Sequence, residues 1–222
     1  MIHANLPEFQ SYGALLCLDG ELPPVSFLKA WPHPIVAVDG AANRLMSMGI
    51  RPAAVVGDLD TLDPIHRASL LVYPMPSQDQ TDADKALDFL RSEGLWPALV
   101  VGVSGGFLDH ILYNIHLMLR HGCHFYAPPL FCWSLCTPGI QHYQWEYDTK
   151  ISLFGMPSAK ITTRGLRWDM EAIPLTLGGM QSLSNRVQEP TVSIELHEGT
   201  LLLCRYTIPM NDGGSLLWRN KD

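Results

Sequence analysis

Asp58 and Asp60 stand one residue apart at the end of a short apolar run, Ala53 to Val56, in the stretch Val55-Val56-Gly57-Asp58-Leu59-Asp60-Thr61. The run reads as a buried strand. Two carboxylates at a strand end are costly unless a positive charge lies between them. A hydrated divalent cation meets that need, because Mg²⁺ takes one or two carboxylates together with phosphate oxygens. A plainer reading has Asp58 capping a helix that begins near Asp63-Pro64.

Other polar clusters follow the same grammar. Asp39-Gly40-Ala41-Ala42-Asn43 follows the apolar run Ile35 to Val38. Gln78-Asp79-Gln80-Thr81-Asp82-Ala83-Asp84-Lys85 opens a helix, and Thr81 with Asp84 resembles a capping box with Asp in place of Glu. Asp82 and Lys85 share a helical face, either as an ion pair or as a metal-bound phosphate with a lysine beside it. Ser104-Gly105-Gly106-Phe107-Leu108-Asp109-His110 follows Ala98 to Val103. Paired glycines at a helix start let backbone amides approach an anion, or simply make a tight turn. Asp109 could equally complement the helix dipole. Neither a P-loop nor a G-x-G-x-x-G fingerprint is present.

The elements that position these residues alternate strand and helix. Strands are expected at Ala14 to Leu18, Ile35 to Val38, Ala53 to Val56, Leu70 to Tyr73, Ala98 to Val103 and Cys123 to Tyr126. Helices are expected over Val25 to Trp31, Ala41 to Met48, Asp63 to Ala68, Ala83 to the stop at Gly94, and Leu108 to the stop at Gly122. Met1 to Ser11 is expected to be a loose arm. Alternation of this kind gives a parallel sheet covered on both faces. Every polar cluster then gathers at one sheet edge, where open α/β sheets bind ligands.

The pattern changes at Pro128, Pro129, Pro138 and Gly139. Alternating runs take over at Gln141 to Tyr147, Lys150 to Phe154, Ala159 to Thr163, Thr191 to Leu196 and Thr200 to Tyr206. Glu198-Gly199 is expected to be a hairpin turn between the last two. The fold class is thus α/β, a Rossmann-like parallel-sheet domain over 1–138 followed by a small all-β sandwich over 139–222. Trp168 in this part either packs in the core or stacks on a flat cationic heterocycle. Ser184 and Asn185 are turn formers by composition.

The chain has 222 residues, 47% of them hydrophobic and 17% charged, with a net charge of −7. A packed core is expected, and a nucleic-acid surface is not. The five cysteines are odd in number and lack metal-ligand spacing, as for free thiols in a reducing compartment. No signal peptide pattern and no apolar run of about 20 residues is found, so a soluble cytoplasmic protein without a membrane partner is expected.

Together and in order, these motifs resemble the thiamine pyrophosphokinase family. The carrying stretches are Asp39 to Asn43, Gly57 to Thr61, Gln80-Thr81-Asp82 with Lys85-Ala86-Leu87, Gly105 to His110 with Asn114-Ile115, Thr163-Arg164-Gly165-Leu166-Arg167-Trp168, and Ser184-Asn185. The resemblance implies transfer of a pyrophosphoryl group from ATP to the hydroxyethyl oxygen of thiamine, giving thiamine diphosphate and AMP. It implies Mg²⁺ on Asp58, Asp60 and Asp82, with Asp39 assisting the metal or meeting thiamine. Asn43, Gln80, Thr81, Lys85, Gly105, Gly106, Asp109 and His110 are expected to line the nucleotide and phosphates. Trp168, Ser184 and Asn185 are expected to meet thiamine across a homodimer. Asp58 or Asp60 is the expected proton acceptor. An arginine usually follows the paired glycines in this family, whereas this chain has Phe107, for which Lys85 or Arg44 could compensate. Two other readings compete: a haloacid-dehalogenase-like phosphatase with Asp58 as nucleophile and Asp60 beside it, and a thiamine- or nucleotide-binding protein with degraded chemistry.

Overall fold

The computed structural model of the chain describes residues 9–207. Strands β1 (Ala14–Cys17), β2 (Ile35–Val38), β3 (Ala54–Gly57), β4 (Val72–Pro74), β5 (Ala98–Val101) and β6 (His124–Ala127) pair in parallel. Their order is β6-β5-β1-β2-β3-β4. Helices α1 (Val25–Ala30), α2 (Ala41–Ser47), α3 (Pro64–Arg67), α4 (Asp82–Ser92) and α5 (Leu108–His121) form the connections.

Successive residues of β1 enter different cores. Ala14 and Leu16 pack with Leu87 and Leu90 of α4 and with Leu117 and Met118 of α5. Leu15 and Cys17 pack with Phe27 and Leu28 of α1 and with Ala42 and Leu45 of α2. Burial on both faces explains why these strands read as unbroken apolar runs. The chain builds outward from β1 through β2, β3 and β4, then returns to place β5 on the other side of β1. That reversal leaves a crevice between the ends of β1 and β5, the usual ligand position in such sheets.

The expected loose arm is packed where it is described. Phe9, in a single 3₁₀ turn (Phe9–Ser11), packs its ring edge-on against Phe27 at 5.5 Å and tilted against Trp31 at 5.0 Å. Residues 1–8 lie outside the described residues.

The β-rich part comprises β7 (Leu130–Leu135), β8 (Gly139–Gln144), β9 (Lys150–Arg164), β10 (Ile173–Thr176), β11 (Ser182–Arg186) and β12 (Thr191–Tyr206). The expected Glu198-Gly199 hairpin is not formed. Residues 193–196 and 201–205 both pair with β9, not with each other, and β12 runs through as one bent strand. Its register shifts lie between Leu196 and Glu198 and between Gly199 and Leu201. A glycine with φ +84° serves a bend as well as it serves a hairpin. The two runs expected within 150–163 are likewise one strand, β9.

Two bent strands lying side by side produce two layers. One is β8, the first arm of β12, the second arm of β9, and β10. The other is β7, the second arm of β12, the first arm of β9, and β11. Ile151, Ile161, Ile194 and Leu203, drawn from all four arms, share one core. This is the expected sandwich, with β7, β10 and β11 added to the strands legible in the sequence. β7 pairs with β6 as well as β12, so a single sheet path of hydrogen bonds runs through both parts.

Candidate active site

The acids converge at the carboxyl ends of the parallel strands. Asp39 follows β2, Asp58 follows β3, and Asp82 opens α4. Each offers a carboxylate oxygen, and these oxygens lie within 4.8 Å of one another. Gly57 makes the approach possible. Its φ is +147°, and a Cβ there would sit 3.2 Å from Asp39 Cβ and 3.3 Å from Asp82 Cγ. The backbone N–H of Asp58 donates to Asp82 Oδ1 at 3.2 Å, and the N–H of Asp60 donates to Asp58 Oδ1 at 3.2 Å. Asp58 therefore organises its own turn, while the cap of α3 is Asp63, whose side chain accepts from the Ile65 N–H. The capping alternative for Asp58 falls away.

Asp39 is buried. Thr61 Oγ1 donates to its Oδ2, but Oδ1 has no hydrogen-bond partner among the described residues. A buried carboxylate oxygen without a donor is costly. Three converging carboxylates with such an oxygen among them suit a hard divalent cation. Asp60 stands outside this set and is exposed. The charge of Asp58 pushes its carboxyl above the ordinary range, helped by slight desolvation at the site and by Asp39.

Beside the acids opens a cleft of about 950 Å³ at the β1/β5 crevice. Asp39, Thr81 and Asp82 form one side; Gly105, Gly106, Asp109 and His110 form the other. Gly102 (φ +74°) lies against the Leu18 carbonyl so tightly that any side chain would collide, which brings the two strand ends together. Asn114, one turn from His110, donates to the Val103 carbonyl at 3.1 Å and pins the start of α5.

Asn43, Gln80 and Lys85 do not line the cleft. Asn43 donates to the Thr61 carbonyl at 2.9 Å and accepts from the Asp63 N–H at 3.0 Å, so it shapes the loop carrying Asp58 and Asp60. Gln80 turns to Asp88, 3.0 Å away. Lys85 donates to Asp82 Oδ1 at 2.9 Å and to the Met75 carbonyl at 2.8 Å. It braces an acid and is almost wholly buried, its side chain 5% exposed.

Asp84 was legible only as a capping residue. Thr81 does cap α4, accepting from the Asp84 N–H at 3.3 Å. The Asp84 carboxylate instead ties α4 to α5, accepting from Tyr113 at 2.6 Å and from Arg120 at 3.2 Å, with His121 Nε2 at 3.1 Å. Burial raises its pKa, yet the bonds from Tyr113, His121 and Thr81 with the Arg120 charge hold it below the ordinary value. Asp19 is a further cleft residue not singled out in the sequence. Its position just after β1, equivalent to Asp39 after β2, was the available signal.

Trp168, Ser184 and Asn185 sit together in the β-rich part, away from the lining of this cleft. Asn185 is buried; its Nδ2 donates to the Trp168 carbonyl at 2.8 Å and its Oδ1 accepts from the Trp168 N–H at 3.2 Å. It clamps the turn that presents Trp168, whose ring is 55% exposed and lies 4.9 Å from the Arg167 guanidinium carbon. Ser184 has φ +57°, and its N–H donates to Ser152 Oγ at 3.0 Å.

The arrangement matches two family models in the same order as the two parts of the fold. Residues 27–127 match the thiamin pyrophosphokinase catalytic domain, and residues 140–201 match the thiamin pyrophosphokinase vitamin B1 binding domain. The chain belongs to the thiamine pyrophosphokinase family.

Relatives agree. Thiamine pyrophosphokinase 1 of Oryza sativa subsp. japonica is 27% identical, over 72% of this chain and 74% of that protein. Thiamine pyrophosphokinase of Bacillus subtilis (strain 168) is 27% identical, over 78% of this chain and 86% of that one. Among solved structures, thiamin pyrophosphokinase from Geobacillus thermodenitrificans superposes with a TM-score of 0.75 at 22% identity, covering 89% of this chain and 98% of that chain. The yeast thiamin pyrophosphokinase gives 0.74 at 18% identity, covering 92% and 88%. At such identities the structures establish the common fold. The family match leaves the phosphatase reading of Asp58 and Asp60 without support. All five cysteines are free, and among the described residues no helix is long and apolar enough to cross a membrane.

Proposed function

We propose that this chain is a thiamine diphosphokinase that transfers the pyrophosphoryl group of ATP to thiamine. The observation that carries this reading is the convergence of Asp39, Asp58 and Asp82 beside the cleft at the β1/β5 crevice. In the reaction the hydroxyethyl oxygen of thiamine bonds to the β-phosphorus. The bond from that phosphorus to the α,β-bridging oxygen breaks, AMP leaves with the oxygen, and the hydroxyl proton passes to a carboxylate.

Asp58 and Asp82 would hold Mg²⁺, with Asp39 adding its unpartnered oxygen, and Asp60, which stands outside that cluster, would join them from the exposed side. When bound, Mg²⁺ supplies positive charge to the phosphates in an otherwise acidic protein. Thr81, Gly105, Gly106, Asp109 and His110 face the nucleotide from the cleft wall. Asn43, Gln80 and Lys85 support that wall from behind. Asp58 or Asp60 accepts the hydroxyl proton. An ordinary Asp has a pKa of about 3.9 and is a weak base, so alignment carries more of the rate than basicity.

The division of labour runs between residues 1–138, which bind nucleotide and metal, and 139–222, which bind thiamine and dimerise. Trp168 suits a flat cationic ring, because an exposed indole face attracts a delocalised cation. Its absence from the cleft lining of its own chain favours a homodimer in which Trp168, Ser184 and Asn185 complete the site of the second subunit. We place the enzyme in the cytoplasm, on its free thiols.

The test is incubation with Mg²⁺, ATP and thiamine, followed by product identification. Thiamine diphosphate and AMP in equal amounts are expected. Binding of both substrates without turnover would instead mark a degraded enzyme. Asp60→Asn is expected to abolish turnover with the fold intact; near-normal turnover would remove Asp60 from the metal and proton roles.

A further inference from the structure

Four aspartates line the cleft: Asp19, Asp39, Asp82 and Asp109. Among its described lining residues Arg44 is the one with a permanent positive charge. A nucleoside triphosphate is a polyanion. Metal on the acid cluster offsets part of that charge, and the remainder needs a cation on the wall. Lys85 does not serve, because its ammonium is buried against Asp82 and Met75.

Arg44 projects from α2 toward the loop after β1. Its Nε donates to Asp19 Oδ1 at 2.6 Å. The two side chains are 54% and 57% exposed. An exposed pair of this kind contributes little to stability and is readily exchanged for another anion. Within the described residues only Nε is engaged, which leaves both terminal nitrogens of the guanidinium available. A guanidinium binds phosphate through two parallel N–H donors, a geometry that a single Nε bond to Asp19 does not use.

We propose that Arg44 is the residue that grips the polyphosphate of the nucleotide, and that Asp19 holds it at the cleft wall until the nucleotide arrives. The inference rests on the proposed kinase reading and adds a residue to it. Asp19 takes no part in the chemistry. It keeps the guanidinium from the nearby acids Asp39 and Asp82, with which it would compete against the metal.

The test is calorimetric binding of Mg²⁺ with α,β-methylene-ATP, which keeps the phosphates and cannot transfer, set beside Mg²⁺ with AMP. Arg44→Met is expected to weaken the ATP analogue about ten- to a hundredfold. AMP, which lacks the outer phosphates, is expected to weaken less than threefold. Steady-state assays should show the KM for ATP rising with the KM for thiamine within twofold. Arg44→Lys, which keeps the charge but not the fork, is expected to fall between. Asp19→Asn, which frees the guanidinium without removing it, is expected to weaken the ATP analogue a few-fold, well short of Arg44→Met.

Analogue binding by Arg44→Met within twofold of the parent would overturn the proposal. Equal weakening of AMP and the analogue would overturn it too, since the defect would then lie in the nucleoside pocket. So would Asp19→Asn weakening the analogue as much as Arg44→Met, which would make the pair a structural brace. If the parent chain makes no thiamine diphosphate, the kinase reading fails, while the binding comparison still decides the role of Arg44.

Discussion

The Lys85 ammonium lies 2.9 Å from Asp82 Oδ1 and 2.8 Å from the Met75 carbonyl oxygen. A lysine in the motif reads as a phosphate ligand, but here the charge is consumed in setting the position of an acid. Lys85→Met would leave Asp82 without its counter-charge and the Met75 carbonyl without its donor. Asp82 keeps some access to water, so the expected cost is about 2 kcal/mol, below the figure for a fully buried pair. Thermal unfolding should show a melting temperature lower by roughly 4–8 °C. Unchanged stability would mean that the lysine is free to leave Asp82.

Gly57 stands where β3 delivers Asp58 to Asp39 and Asp82. At φ +147° a side chain is strained, and its Cβ would press on both neighbouring acids. Gly57→Ala is expected to cost about 1–3 kcal/mol. It is also expected to lower turnover by at least about tenfold, because small displacements at the reacting centre are expensive. Raising the Mg²⁺ concentration should recover part of the loss. Full activity at ordinary Mg²⁺ would show that the acids tolerate a wider spacing.

Much of this geometry was legible, and what was missed shares a cause. β1, β2, β3 and β5 announce themselves because they are buried on both faces and carry no polar interruption. The helices α4 and α5 announce themselves through apolar positions repeating at 3.6 residues. Parallel topology then forces Asp39, Asp58 and Asp82 to one edge. Residues whose partners are distant in sequence were not legible. Asp84 is buried by Tyr113, Arg120 and His121, 29 to 37 positions away. Asn43, Gln80 and Lys85 have the types of ligands, yet only the folded chain shows that their polar atoms are taken. β7 was missed because Leu130-Phe131-Cys132-Trp133-Ser134-Leu135 lacks clean alternation of apolar and polar residues, and its pairing with β6 and β12 shows only in the folded chain. Gly199 marks a change of direction correctly, and only the pairing with β9 distinguishes a bend from a hairpin.

His124 gives the fold an acid-sensitive joint. Its Nδ1 lies 2.8 Å from the Tyr12 hydroxyl, and the rings of Tyr12 and Phe131 flank it at 5.8 Å and 5.7 Å. Burial pushes its pKa below the ordinary histidine value. The unfolded chain therefore binds this proton more readily than the folded one. Stability from the neutral ring is complete above roughly pH 6.5 and is lost as pH falls toward the lowered folded value. His124→Asn keeps a polar atom near Nδ1 without titrating. The melting temperature of the parent is expected to drop more than that of the variant between roughly pH 7 and pH 5. Parallel curves would show that the ring stays neutral in both states or is charged in both.

Phe107 caps the cleft wall opposite the acids, 79% exposed, its ring 6.1 Å from that of His110. An apolar ring there contributes no charge to a cleft lined by Asp19, Asp39, Asp82 and Asp109. Phe107→Arg places a guanidinium on the lip, with solvent room to reach a phosphate. One added charge-assisted contact in a partly exposed site is worth about 1 kcal/mol, or roughly fivefold in affinity. The KM for ATP is expected to fall by about that factor, more steeply at low ionic strength, with the KM for thiamine unchanged. Because the parent side chain is exposed, the melting temperature should hold. A rise in the KM for ATP would reverse the assignment and make the Phe107 ring itself a nucleotide contact, one that stacks on the base.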